Sequence, residues 1–285
     1  LQAYFHQPDL QQTYEKMGFV IVDLFSRETA AELAKFYHEI HAETHPGFHS
    51  TLHHSASDYR RKVMQEILKH VQAPLLNILA NQEIITCSFV VKEADPQSQV
   101  ILHQDWNLTN ETEYPGLNVW VSLTDTDIKN GALHLLPGSH RLPPTLRGTG
   151  LPDPCRSLQT LPLQQLFCAA TKAGQAVIYD VRTLHASPPN LSAHKRIACA
   201  IGSVHADARK VHLHYQPDKN TLTTYEVDSD FFIDYTPDPA FFSRLKLIEQ
   251  VNQPENKFTL FSPADIQHLI KQPTLRQKLT RLFTK

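Results

Sequence analysis

The stretch "RIACAIGSVH", Arg196–His205, alternates with a period of two. Successive side chains of an extended chain point to opposite faces. One face therefore carries Arg196, Ala198, Ala200 and Gly202, and the other Ile197, Cys199 and Ile201. Bulky residues pack and small ones leave room, so this strand should bury one face in a core and turn the other toward a cavity. A guanidinium at the head of that hollow face is placed to receive a carboxylate through two parallel N–H bonds.

Six further short runs of the same character precede it. They are "IITCSFVVK" from Ile84, "SQVILHQD" from Ser98, "LNVWVSLTD" from Leu117, "GALHLLPG" from Gly131, "GQAVIYD" from Gly174 and "RTLHASP" from Arg182. Short β-branched runs at this density, with few helices between them, predict an antiparallel sandwich or barrel. Helices are expected at both ends. Phe19–Leu24 reads as a strand and leads to a helix capped by Ser26, whose buried face is Ala30, Leu33, Phe36, Tyr37 and Ile40. A second helix runs from Asp58 to Val71, and a third begins at Ser262 and Pro263. With no internal repeat or linker, residues 1–285 read as a single domain, mainly β with flanking helices and a barrel core at about 84–205.

Three polar stretches remain. "HAETHPGFHSTLHHSASD", from His41, is broken by Pro46 and Gly47 and reads as a mobile polar lid. The four-residue spacing of His45, His49 and His53 therefore loses its helical meaning, and a second metal site is not expected there. The segments from Leu142 to Ser157 and from Tyr215 to Asp230 read as long loops at the barrel mouth.

The totals narrow the function classes. With 27 basic and 29 acidic residues the net charge is -2, so no field draws in nucleic acid or an anionic membrane. No obligate protein partner is evident either. Four scattered cysteines without a C-x-x-C pair predict free thiols and a cytoplasmic setting. The segment "LQAYFHQPDLQQ" has neither the charged region nor the apolar region of a signal peptide.

In "ILHQDWNLTNE", Ile101–Glu111, His103 and Asp105 are two apart and would project side by side from a strand. Two histidines and one carboxylate leave open positions on iron(II) for oxygen and a chelating cosubstrate. The third ligand must come from another strand, and His185, near the end of its strand, is the best candidate. Across the turn "PPNLSAHK", Arg196 can face the same cavity.

The segments "HQD", "NVWVSLTDTDIKNGALHLLPGSHR" and "LHASPPNLSAHKR" resemble the phytanoyl-CoA dioxygenase family of iron(II)- and 2-oxoglutarate-dependent oxygenases, over roughly Met17–Val204. A lone H-x-D pair is a weak signal. Its strength comes from the distal histidine, the arginine eleven residues later and "NGALHLLPGSH" occurring in the family's order. The resemblance implies a double-stranded β-helix, the jelly-roll or cupin-like barrel. It implies that His103, Asp105 and His185 ligate Fe(II) and that Arg196 holds the distal carboxylate of 2-oxoglutarate, with O2 as co-reactant. Ser187 would donate to that carboxylate and Trp120 would line the cavity. Thr86 and Ser88 are candidates for the other carboxylate.

Halogenases related to the family replace the carboxylate ligand, so Asp105 points to hydroxylation of a small-molecule metabolite or biosynthetic intermediate. The 41–54 loop, Asn107, Asn110, Asn118 and Arg147 are the polar candidates for contacting that substrate. Alternatives are the same chemistry on an acyl-CoA or carrier-linked acyl chain, a metal-dependent hydrolase or isomerase, and a non-catalytic binding barrel. Imidazole and carboxylate ligands alone do not select iron. The absence of a concentrated Lys/Arg patch for the CoA phosphates favours the smaller metabolite.

Overall fold

The computed structural model describes residues 3–41, 45–254 and 258–270. Two antiparallel sheets enclose the cavity. The larger has six strands: β1 (Phe19–Asp23), β2 (Phe48–Ser50), β3 (Gln82–Lys92), β5 (Leu117–Ser122), β8 (Gln175–Asp180) and β10 (Arg196–His205), in the order β1-β8-β5-β10-β3-β2. The smaller contains β4 (Val100–His103), β6 (Leu133–Leu135), β7 (Phe167–Ala169) and β9 (His185–Ser187), in the order β4-β9-β6-β7. Each of the seven strands expected between Ile84 and His205 is present.

The period-two alternation sorts the large sheet into two faces. Ile197, Cys199 and Ile201 of β10 join Val119 and Val121 of β5 and Cys87, Phe89 and Val91 of β3 in one core. Helices α2 (Arg27–Ile40) and α3 (Ser57–Ile78) cover that face through Ala30, Leu33 and Tyr37 and through Val63, Ile67, Val71 and Leu75. Burying such apolar side chains contributes about 1.5–3 kcal/mol each, which fixes the register of every strand. Ser26 caps α2 as expected, its Oγ accepting from the Thr29 N–H at 3.2 Å. On the inner face Ala200 and Gly202 border the cavity. Ala198 does not: it is buried with Val90 and Trp120, between Arg196 and Ala200, which both border the cavity.

Other elements depart from the sequence reading. The stretch expected as a free lid contributes β2, an edge strand paired with Lys92–Val90 of β3, followed by a short turn of 3-10 helix at Thr51–His53. The segment after Tyr215 is sheet rather than loop: β11 (Val211–Gln216), β12 (Thr221–Glu226) and β13 (Lys246–Asn252) form a third antiparallel sheet. In β12 the consecutive residues Thr221, Leu222 and Thr223 are all buried, so that strand shows no apolar–polar alternation. Helix α1 (Pro8–Met17) precedes β1, while α4 (Phe231–Asp234), α5 (Pro239–Phe242) and α6 (Pro263–Ile270) lie near the end. The expected last helix is thus confirmed to Ile270, and its continuation lies outside the described residues. No helix among the described residues is long and apolar enough to cross a membrane.

Candidate metal centre

His103 and His185 sit directly opposite each other across the β4–β9 pair, with ring centroids 4.1 Å apart. Each ring is held by a neighbouring carbonyl. His103 Nδ1 lies 2.8 Å from the Ile101 carbonyl and His185 Nδ1 lies 2.9 Å from that of Thr183. An Nδ1–H donated to a carbonyl leaves the Nε2 lone pair free to ligate.

Asp105 lies just past the end of β4. Its N–H donates to the Val181 carbonyl at 3.1 Å, and its own carbonyl accepts from Arg147 Nε at 2.5 Å. So anchored, Asp105 Oδ1 is 3.7 Å from Nε2 of both histidines. Asn118 Nδ2 donates to Oδ2 at 2.9 Å and fixes the carboxylate plane. Between them Gln104 also borders the cavity, with its amide accepting from Thr145 Oγ1 at 2.7 Å and donating to the Arg182 carbonyl.

The three ligand atoms lie within 4.8 Å of one another, and no other group of three or more such side chains among the described residues does so. Burial pushes the Asp105 carboxyl up, but His185, His103 and the hydrogen bonds from Asn118 and Tyr179 outweigh it and hold it below its usual value. Burial and then the neighbouring His103 lower the His185 imidazole. A carboxylate beside a neutral imidazole is the protonation state a divalent cation requires.

Arg196 opens β10 and is only 3% exposed. Its guanidinium stands 5.0 Å above the Trp120 ring, its Nε has no hydrogen-bond partner, and burial depresses its pKa. A buried cation with an unsatisfied donor is costly unless an anion completes it. Ser187, Trp120, Thr86 and Ser88 border the same cavity of about 640 Å³ as Arg196 and the three ligands. Thr86 Oγ1 is also buried without a partner.

The proposed substrate contacts fare differently. Asn107 does not border the cavity: its Oδ1 accepts from the Arg147 N–H at 2.7 Å. Asn110 is exposed and closes a turn with Thr112 and Glu113. Arg147 borders the cavity, but its side chain is committed to buried Glu111, to Thr145 and to the Asp105 carbonyl. Asn118 borders it too, with its amide spent on Asp105. The polar groups of Asn107, Asn110 and Arg147 thus bond within the protein, and the Asn118 amide orients Asp105.

Sequence reasoning missed Tyr179, whose hydroxyl is 3.4 Å from His185 Nε2. Alternation in "QAVIYD" carried the signal, since Val177 and Tyr179 face inward together. It also missed Phe231, Phe232 and Tyr235, which reach the cavity from beyond the barrel strands. Among the described residues of the histidine-rich stretch, Phe48, Ser50, Leu52 and, of its histidines, His53 border the cavity. The rings of His41, His45 and His49 lie 4.9–5.2 Å from one another instead, and His49 Nε2 lies 2.8 Å from the Tyr37 hydroxyl.

Comparison with known proteins bears on the family and the fold. A family model described as phytanoyl-CoA dioxygenase matches residues 5–198. An ectoine dioxygenase from Bordetella bronchiseptica is 30% identical, over 65% of this chain and 70% of that protein. A probable alpha-ketoglutarate-dependent hypophosphite dioxygenase from Stutzerimonas stutzeri is 32% identical, but the match spans 37% of this chain and only 40% of that protein. Among solved structures, the non-heme alpha ketoglutarate dependent carbocyclase SnoK from nogalamycin biosynthesis superposes with a TM-score of 0.53 at 20% identity, covering 72% of this chain and 86% of that one. At that identity the likeness is one of fold.

Proposed function

Because the chain belongs to the phytanoyl-CoA dioxygenase family of iron(II)- and 2-oxoglutarate-dependent oxygenases, we propose that it hydroxylates an unactivated carbon of a small-molecule metabolite or biosynthetic intermediate. The balanced reaction consumes the C–H substrate, O2 and 2-oxoglutarate and yields the alcohol, succinate and CO2. His103 Nε2, Asp105 Oδ1 and His185 Nε2 would hold the iron, and their fit rests on three donor atoms within 4.8 Å of one another. When bound, iron with 2-oxoglutarate supplies the oxidising power, which is the cofactor's own chemistry.

The chain's residues do the rest. The carbonyls of Ile101 and Thr183 orient the two imidazoles, and Asn118 and Tyr179 orient the carboxylate. Arg196, backed by the Trp120 ring and with Ser187 nearby, is poised to grip the distal carboxylate, and Thr86 or Ser88 the other. The apolar walls exclude water around the reacting carbon. Four unbridged cysteines, Cys87, Cys155, Cys168 and Cys199, fit work in a reducing cytoplasm.

The single observation that carries the reading is the unpartnered Arg196 Nε, buried in the cavity that also holds the three metal-binding side chains. A zinc hydrolase would have no use for a gripped dicarboxylate. The test is iron-dependent conversion of 2-oxoglutarate to succinate, measured with and without candidate substrates. It should vanish in His103→Ala and Asp105→Ala, and turnover that persists without iron would refute the assignment.

A further inference from the structure

The cavity has a second half that the proposed chemistry leaves unused. Trp106 follows ligand Asp105 and is 42% exposed, an unusual place for so large an apolar ring. It meets the Tyr235 ring edge-on at 5.5 Å, and Phe231 stands 5.6 Å from Tyr235 and 5.3 Å from Phe232. Together with Leu151 these rings form an aromatic wall at the mouth.

The wall is built rather than incidental. Tyr235 Oη lies 2.6 Å from Thr149 Oγ1, Arg60 Nε donates to the Ile233 carbonyl at 2.5 Å, and Arg61 pairs with Asp230 at 3.1 Å and also with Asp234. Those contacts clamp α4 against α3 and the barrel rim. Residues 231–235 also lie beyond the matched family region, which ends at 198. This chain's own carboxy-terminal part therefore shapes its mouth.

Charge at the mouth is equally selective. Among the described residues Arg147 and Arg196 are the only lysines or arginines bordering the cavity. Glu111 neutralises the first, and the second faces the cosubstrate end. Asp153, at the mouth, is exposed and accepts from the Cys155 N–H and from Gln159 rather than from a cation. A phosphate or carboxylate entering here would meet an acid and no free counter-charge. A small inorganic anion would also leave the wall bare, whereas a cavity of about 640 Å³ matches organic ligands of drug size.

We infer that the substrate is an organic molecule with an apolar, ring-bearing body and no anionic group at its outer end, recognised by Trp106, Phe231, Phe232 and Tyr235. This rests on the dioxygenase reading for its inner boundary, since 2-oxoglutarate is taken to fill the Arg196 end. Acyl-CoA phosphates find no anchor at this mouth among the described residues. A ring stacked or set edge-on against such a wall gains beyond its simple burial.

The test is isothermal titration of the protein carrying Mn(II), a redox-inert stand-in, and 2-oxoglutarate. The probes are 2-naphthol, 2-naphthylmethylamine and 2-naphthyl phosphate, which share one ring system and differ in charge. The neutral and ammonium probes should bind at least about tenfold more tightly than the phosphate. Phe232→Ala, and independently the more exposed Trp106→Ala, should weaken 2-naphthol about fivefold to tenfold while leaving 2-oxoglutarate affinity unchanged. Phosphate binding as tight as naphthol binding, or full naphthol affinity in both variants, overturns the inference. Failure of Mn(II)-dependent 2-oxoglutarate binding, with the probe ranking intact, instead overturns the dioxygenase reading and leaves the wall's selectivity standing.

Discussion

Two arginines border one cavity, each 3% exposed, and their surroundings are opposites. Arg147 is saturated: it pairs with Glu111, donates to the Thr145 carbonyl at 2.9 Å and hydroxyl at 2.8 Å, and braces the Asp105 carbonyl. Arg196 has the Trp120 face on one side and an Nε with no partner. Equal burial thus accompanies unequal satisfaction. A buried cation whose donors are all committed is a brace, and one left open is a seat for an anion.

Exchanging each arginine for an apolar residue sharpens that contrast. Arg147→Met strands Glu111, whose carboxyl burial already pushes up against the pull of Arg147, and should cost about 3–5 kcal/mol of stability in urea unfolding. Adding Glu111→Gln should recover a large part of it. Arg196→Met should instead leave unfolding stability unchanged or raised, while 2-oxoglutarate affinity falls about a hundredfold, or ~2.7 kcal/mol. If both variants unfold alike and both bind 2-oxoglutarate alike, the distinction between brace and seat is wrong.

A smaller effect is expected where the braced wall meets the metal. Asn118→Ala removes the donor to Asp105 Oδ2 and should weaken metal binding about 10–100-fold with the fold intact, as read by calorimetry. Unaltered metal affinity would mean that the Arg147 clamp on the backbone is sufficient to aim Asp105.

The smallest effect is a pH dependence on the Arg147 side. His212, 3.1 Å from Thr149 Oγ1, is packed among Phe231, Tyr235 and Phe242, and burial and then His214 push its pKa down to about 3. The unfolded histidine takes up its proton near 6.5. Between those values the unfolded chain binds more protons, so stability falls as the pH drops from about 6.5 toward about 3. Thermal unfolding should shift down by several degrees between pH 7 and pH 4.5, and less so in His212→Asn. Equal shifts in the two proteins would place the acid sensitivity elsewhere.

Much of the barrel was legible because its signal is local. Arg196–His205 sorts into a packed face and an open one from its own letters, and the structure differs there only at Ala198. The third sheet was not legible, because β12 buries Thr221, Leu222 and Thr223 in succession and β13 is largely exposed, so neither shows a hydrophobic period. For the site, His103, Asp105, His185 and Arg196 follow from spacing and from family resemblance, and the structure brings all four to one cavity. The letters did not show that Asn107 would bond the Arg147 backbone or that Glu111 would pair with the Arg147 side chain, because both contacts join segments about forty residues apart.

Sequence alone determined which residues can alternate across a sheet, which side chains can ligate, and the order in which they occur. These depend on chain geometry within a few residues and on chemistry that each side chain carries everywhere. Only the tertiary structure decided which polar groups spend themselves on one another and which stay open. That is a matter of distance between residues such as Arg147 and Glu111, or Trp106 and Tyr235, brought together by packing that no local period encodes.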